Sequence, residues 1–271
     1  FSSIPTHGLA GKSISTPYTD KNSTSIMVNV EPIKEIRKLI LTFPMPSMDE
    51  HYRQKPLSYF AHLLGYEGEG SLMLALKEAG WITSLSAGGG TSGSNYREFT
   101  VSCALTTEGL GCIDEIIQAI FSYLTLLSRD GFDEWRYLEK QAVLESAFRF
   151  QEPTRPLDLV SHLVVNMQHY APEDTIYGDF MMNEYDEPLL KELLQYLTPE
   201  NLRITLIAQG FKYDKQAQWY ASPYSVTPFS SEKLAYYKAT SELSFCLPPK
   251  NPFICYDLDP QPIDSQSDTP E

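Results

Sequence analysis

Histidine, cysteine and basic residues are all scarce in this 271-residue chain, and it holds no long apolar run. None of its five histidines has a second histidine one helical turn further on. The fourth residues after His7, His51, His162 and His169 are Gly11, Lys55, Asn166 and Glu173, so the paired-histidine pattern of a zinc helix is missing. Four cysteines, Cys103, Cys112, Cys246 and Cys255, form neither a C-x-x-C pair nor a zinc-ribbon spacing. Cys103 falls in a strand-like alternation, where a small buried thiol is expected. Lys and Arg number 21 against 35 Asp and Glu, a formal charge of −14. Phosphate binding needs cations, so this balance argues against a nucleic-acid partner, and basic or neutral peptides are better tolerated. No stretch approaches the roughly 18 to 20 apolar residues that cross a bilayer, which argues against a membrane partner. Phe1-Ser2-Ser3-Ile4-Pro5 has neither an initiator methionine nor a basic or apolar leader, so the chain reads as an excised piece.

What is present suffices for a sizeable core: 42% apolar and 12% aromatic residues. Residues 1–24 mix Gly, Pro, Ser and Thr without periodicity and read as an incoming linker. Residues 25–30 and 37–43 are rich in Ile, Val, Leu and Phe and read as two neighbouring strands. A helix carrying Tyr59, Phe60, Leu63 and Leu64 follows and ends near Gly68. Ser71 then caps a short helix closed by Gly80. Residues 81–86 read as a strand, Gly88-Gly89-Gly90 as a hairpin loop, and Phe99, Val101, Cys103 and Leu105 as the inward face of the returning strand. Thr106 or Thr107 is expected to cap a long helix whose apolar face is Ile113, Ile116, Ile117, Ile120, Phe121, Leu124 and Leu127. In the next helix Trp135, Leu138, Ala142 and Val143 form the expected buried side. Residues 157–170 and 187–197 read as helices, and Leu202, Ile204, Leu206 and Ala208 as a strand. A short strand past Trp219 and Tyr220 and a short helix opening at Ser230-Ser231 complete the pattern. The whole predicts an α+β, two-layer sandwich: a mostly antiparallel sheet covered by long helices. A single domain over 25–246 and an outgoing interdomain linker over 247–271 are expected.

The most informative stretch is His62-Leu63-Leu64-Gly65-Tyr66-Glu67-Gly68. In an H-x-x-E-H helix two histidines on one face hold Zn²⁺ while the glutamate activates water. Here Gly65 stands at the glutamate position and Tyr66 at the second histidine. Glycine has no base to offer and neutral tyrosine is a poor zinc ligand, so no catalytic residue and no metal ligand are expected in this chain. Gly88-Gly89-Gly90 lacks the Gly-Lys-Ser/Thr that completes a phosphate loop. No base sits in a recognisable arrangement with a Ser or Cys nucleophile.

Five stretches in order resemble the pitrilysin and insulysin (insulinase) family of zinc metalloendopeptidases. They are residues 56–72 (PLSYFAHLLGYEGEGSL), 76–81 (LKEAGW), Phe148-Arg149-Phe150, 198–203 (TPENLR) and 247–254 (LPPKNPFI). The resemblance implies four homologous α/β domains closing around a chamber in which short peptides are cut, with this chain as the second, noncatalytic domain. Zinc would belong to the parent enzyme and sit in another domain of the same polypeptide. The resemblance also implies an exosite anchoring the amino terminus of a peptide substrate through His62, Gly65, Glu67, Leu85 and Ala87. Ser58, Ala61, Tyr66 and Ala87 depart from the residues relatives more often carry there (His, Gly, His and Gly). Glu139 and Glu145 lie where the active domain keeps its third ligand, and are read as solvated or paired carboxylates. The fragment alone is expected to be inactive. The alternative is a stand-alone noncatalytic binding or assembly module of the same fold. A bacterial, pitrilysin-like parent would be periplasmic, any other cytoplasmic.

Overall fold

Short alternating apolar segments build a sheet, and longer segments with helical spacing cover it. The computed structural model describes residues 3, 5, 18 and 23–259, so most of the incoming linker and the last part of the outgoing one lie outside the described residues. The strands are β1 (Ile26–Val30), β2 (Lys38–Met45), β3 (Ile82–Gly93), β4 (Tyr96–Leu105), β5 (Arg203–Ile207), β6 (Lys215–Gln216) and β7 (Pro223–Pro228). The helices are α1 (Pro56–Leu64), α2 (Leu72–Glu78), α3 (Ile113–Asp130), α4 (Glu134–Arg149), α5 (Pro156–Asn166), α6 (Glu187–Leu194) and α7 (Ser231–Lys238). The strands form one sheet in the order β3-β4-β2-β5-β1-β7-β6. Only the β1–β5 pairing is parallel; the others are antiparallel. The expected α+β class therefore holds.

The inward faces of the strands supply one half of the core. Leu39, Leu41 and Phe43 of β2, Phe99, Val101 and Cys103 of β4, and Ile204 and Leu206 of β5 are fully buried. Against them lie Tyr59, Phe60, Leu63 and Leu64 of α1 and Ile116, Ile117, Ile120 and Leu124 of α3. Phe60 meets Phe99 edge-on at 6.4 Å, and Phe43 meets Phe121 at 6.1 Å. Each such side chain contributes about 1.5–3 kcal/mol on burial. Ser71 caps α2 as expected, its hydroxyl accepting from the Leu74 N–H at 3.0 Å.

Several expectations need correction. β1 and β2 are not neighbours, because β5 pairs with both and separates them. The triple glycine is not a hairpin loop: β3 runs through it and turns only at Ser94 and Asn95. Side chains from β4 occupy the space that β-carbons would need. A Cβ on Gly89 would stand 2.7 Å from Arg97 Nη2, and one on Gly90 3.0 Å from Glu98 Cβ. Thr106 does not cap α3. Its hydroxyl accepts from the Gly109 N–H at 2.9 Å and stabilises a 3-10 turn at Gly109–Gly111, after which α3 starts at Ile113. α5 stops at Asn166 and α6 at Leu194, each short of its expected end.

The buried side of α4 was also misplaced. Leu138 and Val143 are exposed, whereas Tyr137 and Glu139 are buried. Tyr137 wins the inward position because its hydroxyl donates to the carbonyls of Gln54 and Glu184 at 3.0 and 3.1 Å. Glu139 accepts from the Asn251 N–H at 3.0 Å, and Arg136 Nε donates to the Pro248 carbonyl at 3.3 Å. Lys250 lies over the Trp135 ring. The first part of the outgoing segment is thus docked along α4, and Leu247 joins the core. Glu145 accepts from the Tyr177 hydroxyl at 2.7 Å. Exposed apolar side chains continue from α4 onto α5, where Leu157, Val160, Val164 and Val165 face outward.

The Cys246 N–H donates to the Gly70 carbonyl at 2.9 Å, closing the start of this outgoing segment against the α1–α2 turn. Gly70 has φ +73°, and a Cβ there would stand 2.0 Å from Cys246 Sγ. Gly70→Ala should therefore destabilise the fold by about 1–3 kcal/mol, read as a shift of the denaturant midpoint at unchanged slope.

Candidate functional site

α1 carries the degenerate motif, and its limits follow from sequence. Pro56 occupies the first turn, where no N–H is needed, and Lys55 precedes it in the left-handed region at φ 43°. Gly65 ends the helix, its N–H donating to the Ala61 carbonyl at 2.9 Å, where a Cβ would also stand only 2.9 Å from that oxygen. Gly68 leaves room for the Tyr66 ring, whose hydroxyl would lie 2.1 Å from a Cβ there. Tyr66 therefore folds back onto its own turn. Glu67 is exposed, with no ion-pair partner among the described residues.

His62 is half-buried on α1. Burial, and secondly the Lys140 ammonium, push its pKa down to about 4, so the ring is neutral at pH 7. Burial also lowers the pKa of Lys140. Zinc does not fit this helix: His62 stands alone, Gly65 has no side chain and Tyr66 is turned onto Gly68. Among the described residues no three His, Cys, Asp or Glu side chains come together to hold a metal.

α1 packs on β3. Leu85 is buried beneath it, and Ala87 is partly buried against the same core. Both offer main-chain groups, their side chains being turned toward the core. β3 is the terminal strand of the sheet, and no described strand pairs with its outer side. Its twelve residues, ITSLSAGGGTSG, include no charged residue and no proline. Exposed edges are ordinarily protected by charge, proline or shortness, and this one has none of those. Glu67 thus follows the C-terminal end of the helix that packs on this terminal strand.

A cavity of about 680 Å³ opens at the other end of α1, between Lys55, Ser58, the β3–β4 hairpin and the loop after α5. Sequence reading missed it. Lys55 and Arg97 are far apart in the chain, and no spacing rule joins them; the one local sign was a cation directly before Pro56.

Comparison with known proteins identifies the family and agrees with the fold. Residues 1–144 match the family model described as the peptidase M16 inactive domain, and residues 148–271 that of the middle or third domain of peptidase M16. The chain belongs to the M16 (insulinase) peptidase family. It is 33% identical over 248 residues to insulin-degrading enzyme-like 1, peroxisomal, of Arabidopsis thaliana, covering 90% of this chain and 26% of that protein. It is 31% identical over 268 residues to nardilysin of Rattus norvegicus, covering 95% of this chain and 23% of that protein. The crystal structure of pitrilysin superposes with TM-score 0.89 at 28% identity, covering 95% of this chain and 28% of that one. This M16 chain therefore spans about a quarter of the length of the curated relatives it matches. The two family models meet inside α4, yet both stretches contribute strands to one sheet.

The depressed His62 pKa sets a pH dependence. The unfolded ring, near 6.5, binds protons between pH 6.5 and 4 that the folded ring does not. His62 therefore has its full stabilising effect above about pH 6.5, and it is lost as pH falls toward 4. His62→Gln should remove on the order of 1–2 kcal/mol of the acid-induced loss, with water screening at the exposed ring edge, as read from urea melts at pH 7 and pH 4.5.

Proposed function

We propose that this chain is the noncatalytic, peptide-anchoring and chamber-forming part of a zinc metalloendopeptidase that degrades short peptides. Another domain of the same polypeptide would hold the zinc and hydrolyse the peptide bond. The observation that carries the proposal is the outer side of β3, with which no described strand pairs, on the strand that α1 packs against. An extended peptide adds to such an edge through main-chain hydrogen bonds, which need no particular side chain. The free α-ammonium of the peptide meets two favourable fields there: the Glu67 carboxylate, and the negative end of the α1 dipole. Neutral His62 is suited to hydrogen bonding and adds no positive charge against that ammonium. The exposed apolar residues of α4 and α5 would face the rest of the polypeptide, as expected of a part of a larger enclosure.

An anchor of this kind raises affinity for peptides without performing chemistry. Ser58 and Ala61 stand on α1 where related exosites more often carry His and Gly, so fewer polar contacts are available and selectivity would rest chiefly on the backbone and the amino terminus. Peptides with a free amino terminus should bind about fivefold or more tightly than their acetylated twins, as measured by fluorescence anisotropy. Glu67→Gln should reduce that ratio to near unity. Backbone N-methylation walked along the peptide should weaken binding at every second residue, the signature of a strand ladder. Equal binding of free and acetylated peptides would overturn the anchoring role.

A further inference from the structure

The cavity at the start of α1 is lined by two cations, Lys55 and Arg97. Neither the Lys55 ammonium nor the Arg97 guanidinium makes an ion pair or side-chain hydrogen bond among the described residues. In a chain with 35 acidic residues, partners are not in short supply. The carboxylates on the same wall are engaged elsewhere. Asp179 accepts from Tyr170 Oη at 2.9 Å and from Asn166 Nδ2 at 2.7 Å, and it lies 2.7 Å from His162 Nε2. Asp49 faces His169 Nδ1 at 3.6 Å. Burial holds the Lys55 ammonium below the ordinary lysine range, and the Asp179 charge offsets only part of that effect. His51 also lines the wall.

Glycine ties this cavity to the strand edge. Because Gly89 has no Cβ, the Arg97 guanidinium lies across β3 at that residue. The nine-residue α1 spans about 14 Å, and Leu85 to Gly89 about 13 Å along β3. Both lengths correspond to about four residues of extended peptide.

We infer that this cavity is a subsite for an acidic side chain of the bound peptide, which Lys55 and Arg97 would pair about four residues beyond the anchored amino terminus. α1 then presents opposite ends of its dipole to opposite charges: its carbonyl end to the ammonium and its amide end to the carboxylate. The subsite rests on the peptide-anchoring reading above.

The test uses neutral peptides of about ten residues with one Glu walked through roughly positions 3 to 7, each paired with its Gln twin in free and acetylated forms. Binding to the full chain is measured by anisotropy in low salt. Lys55→Asn is the informative variant because asparagine tolerates the left-handed backbone while removing the charge; it is combined with Arg97→Gln, and thermal melts verify folding. Expected is about a tenfold preference for Glu over Gln at one position or at two of the same parity, falling to within about twofold in the double variant. Equal binding of the twins at every position, absence of binding, or a preference that survives in the double variant overturns the subsite. If acetylation has no effect while the Lys55-dependent preference for Glu remains, the amino-terminal anchor fails and the acidic subsite stands.

Discussion

The return of β5 to the middle of the sheet is the constraint on which the rest of the structure depends. Residues 203–207 pair with β1 on one side and β2 on the other, filling a slot left open by a segment that precedes them by more than 150 residues. Without that strand, β1 with β7 and β6 would be severed from β2, β4 and β3. The inward residues Ile204 and Leu206 are fully buried and complete the apolar surface that α1 and α3 cover. A pairing of this span carries a large loop-closure cost before any contact is made, so it is stable only because it closes two ladders together. It also brings strands from both matched family stretches into one sheet.

The same arrangement leaves β3 at the outside. Its inner side is paired with β4 over most of its length, and α1 packs against it, so the strand is held in place although no described strand pairs with its outer side. Rigidity matters for a binding edge, because a disordered segment would lose conformational entropy on accepting a partner. An edge strand whose own twelve residues carry no charge is also a route to self-association. Its retention over twelve residues is consistent with a use for it that offsets that hazard.

Local pattern was enough to identify the strand with inward Phe99, Val101 and Cys103, because period-two alternation is decided by neighbours in sequence. The Ser71 cap was legible for the same reason. What local pattern could not supply was the placement of distant partners. β1 and β2 look like a hairpin pair until β5 is known to separate them. Glycine reads as a turn because its use inside a strand depends on Arg97 and Glu98 reaching across from β4. On α4, Tyr137 and Glu139 are inward because their polar atoms satisfy carbonyls and an N–H of remote segments, a requirement that outweighs the apolar character of Leu138 and Val143. At the candidate site, sequence pointed to His62, Gly65 and Glu67, which are close together in the chain. It was silent on Lys55 with Arg97, which only the meeting of hairpin and helix brings together.

Loss of metal chemistry changes what the α1 region is free to do. A zinc helix must hold two ligands and a base in fixed rotamers around a dication, and the charge of that ion governs every neighbouring pKa. With Gly65 and Tyr66 in those places, the local field is set by the helix dipole, Glu67 and a neutral His62. That field is weaker than an ion's, but it is directional, with its two ends about 14 Å apart. In the proposed anchoring role, a short helix of this kind would distinguish the ends of an extended peptide, where a central cation would attract carboxylates from any direction. The same residues that leave α1 without a paired-ligand and base set thus leave it the directional field on which the proposed anchoring rests.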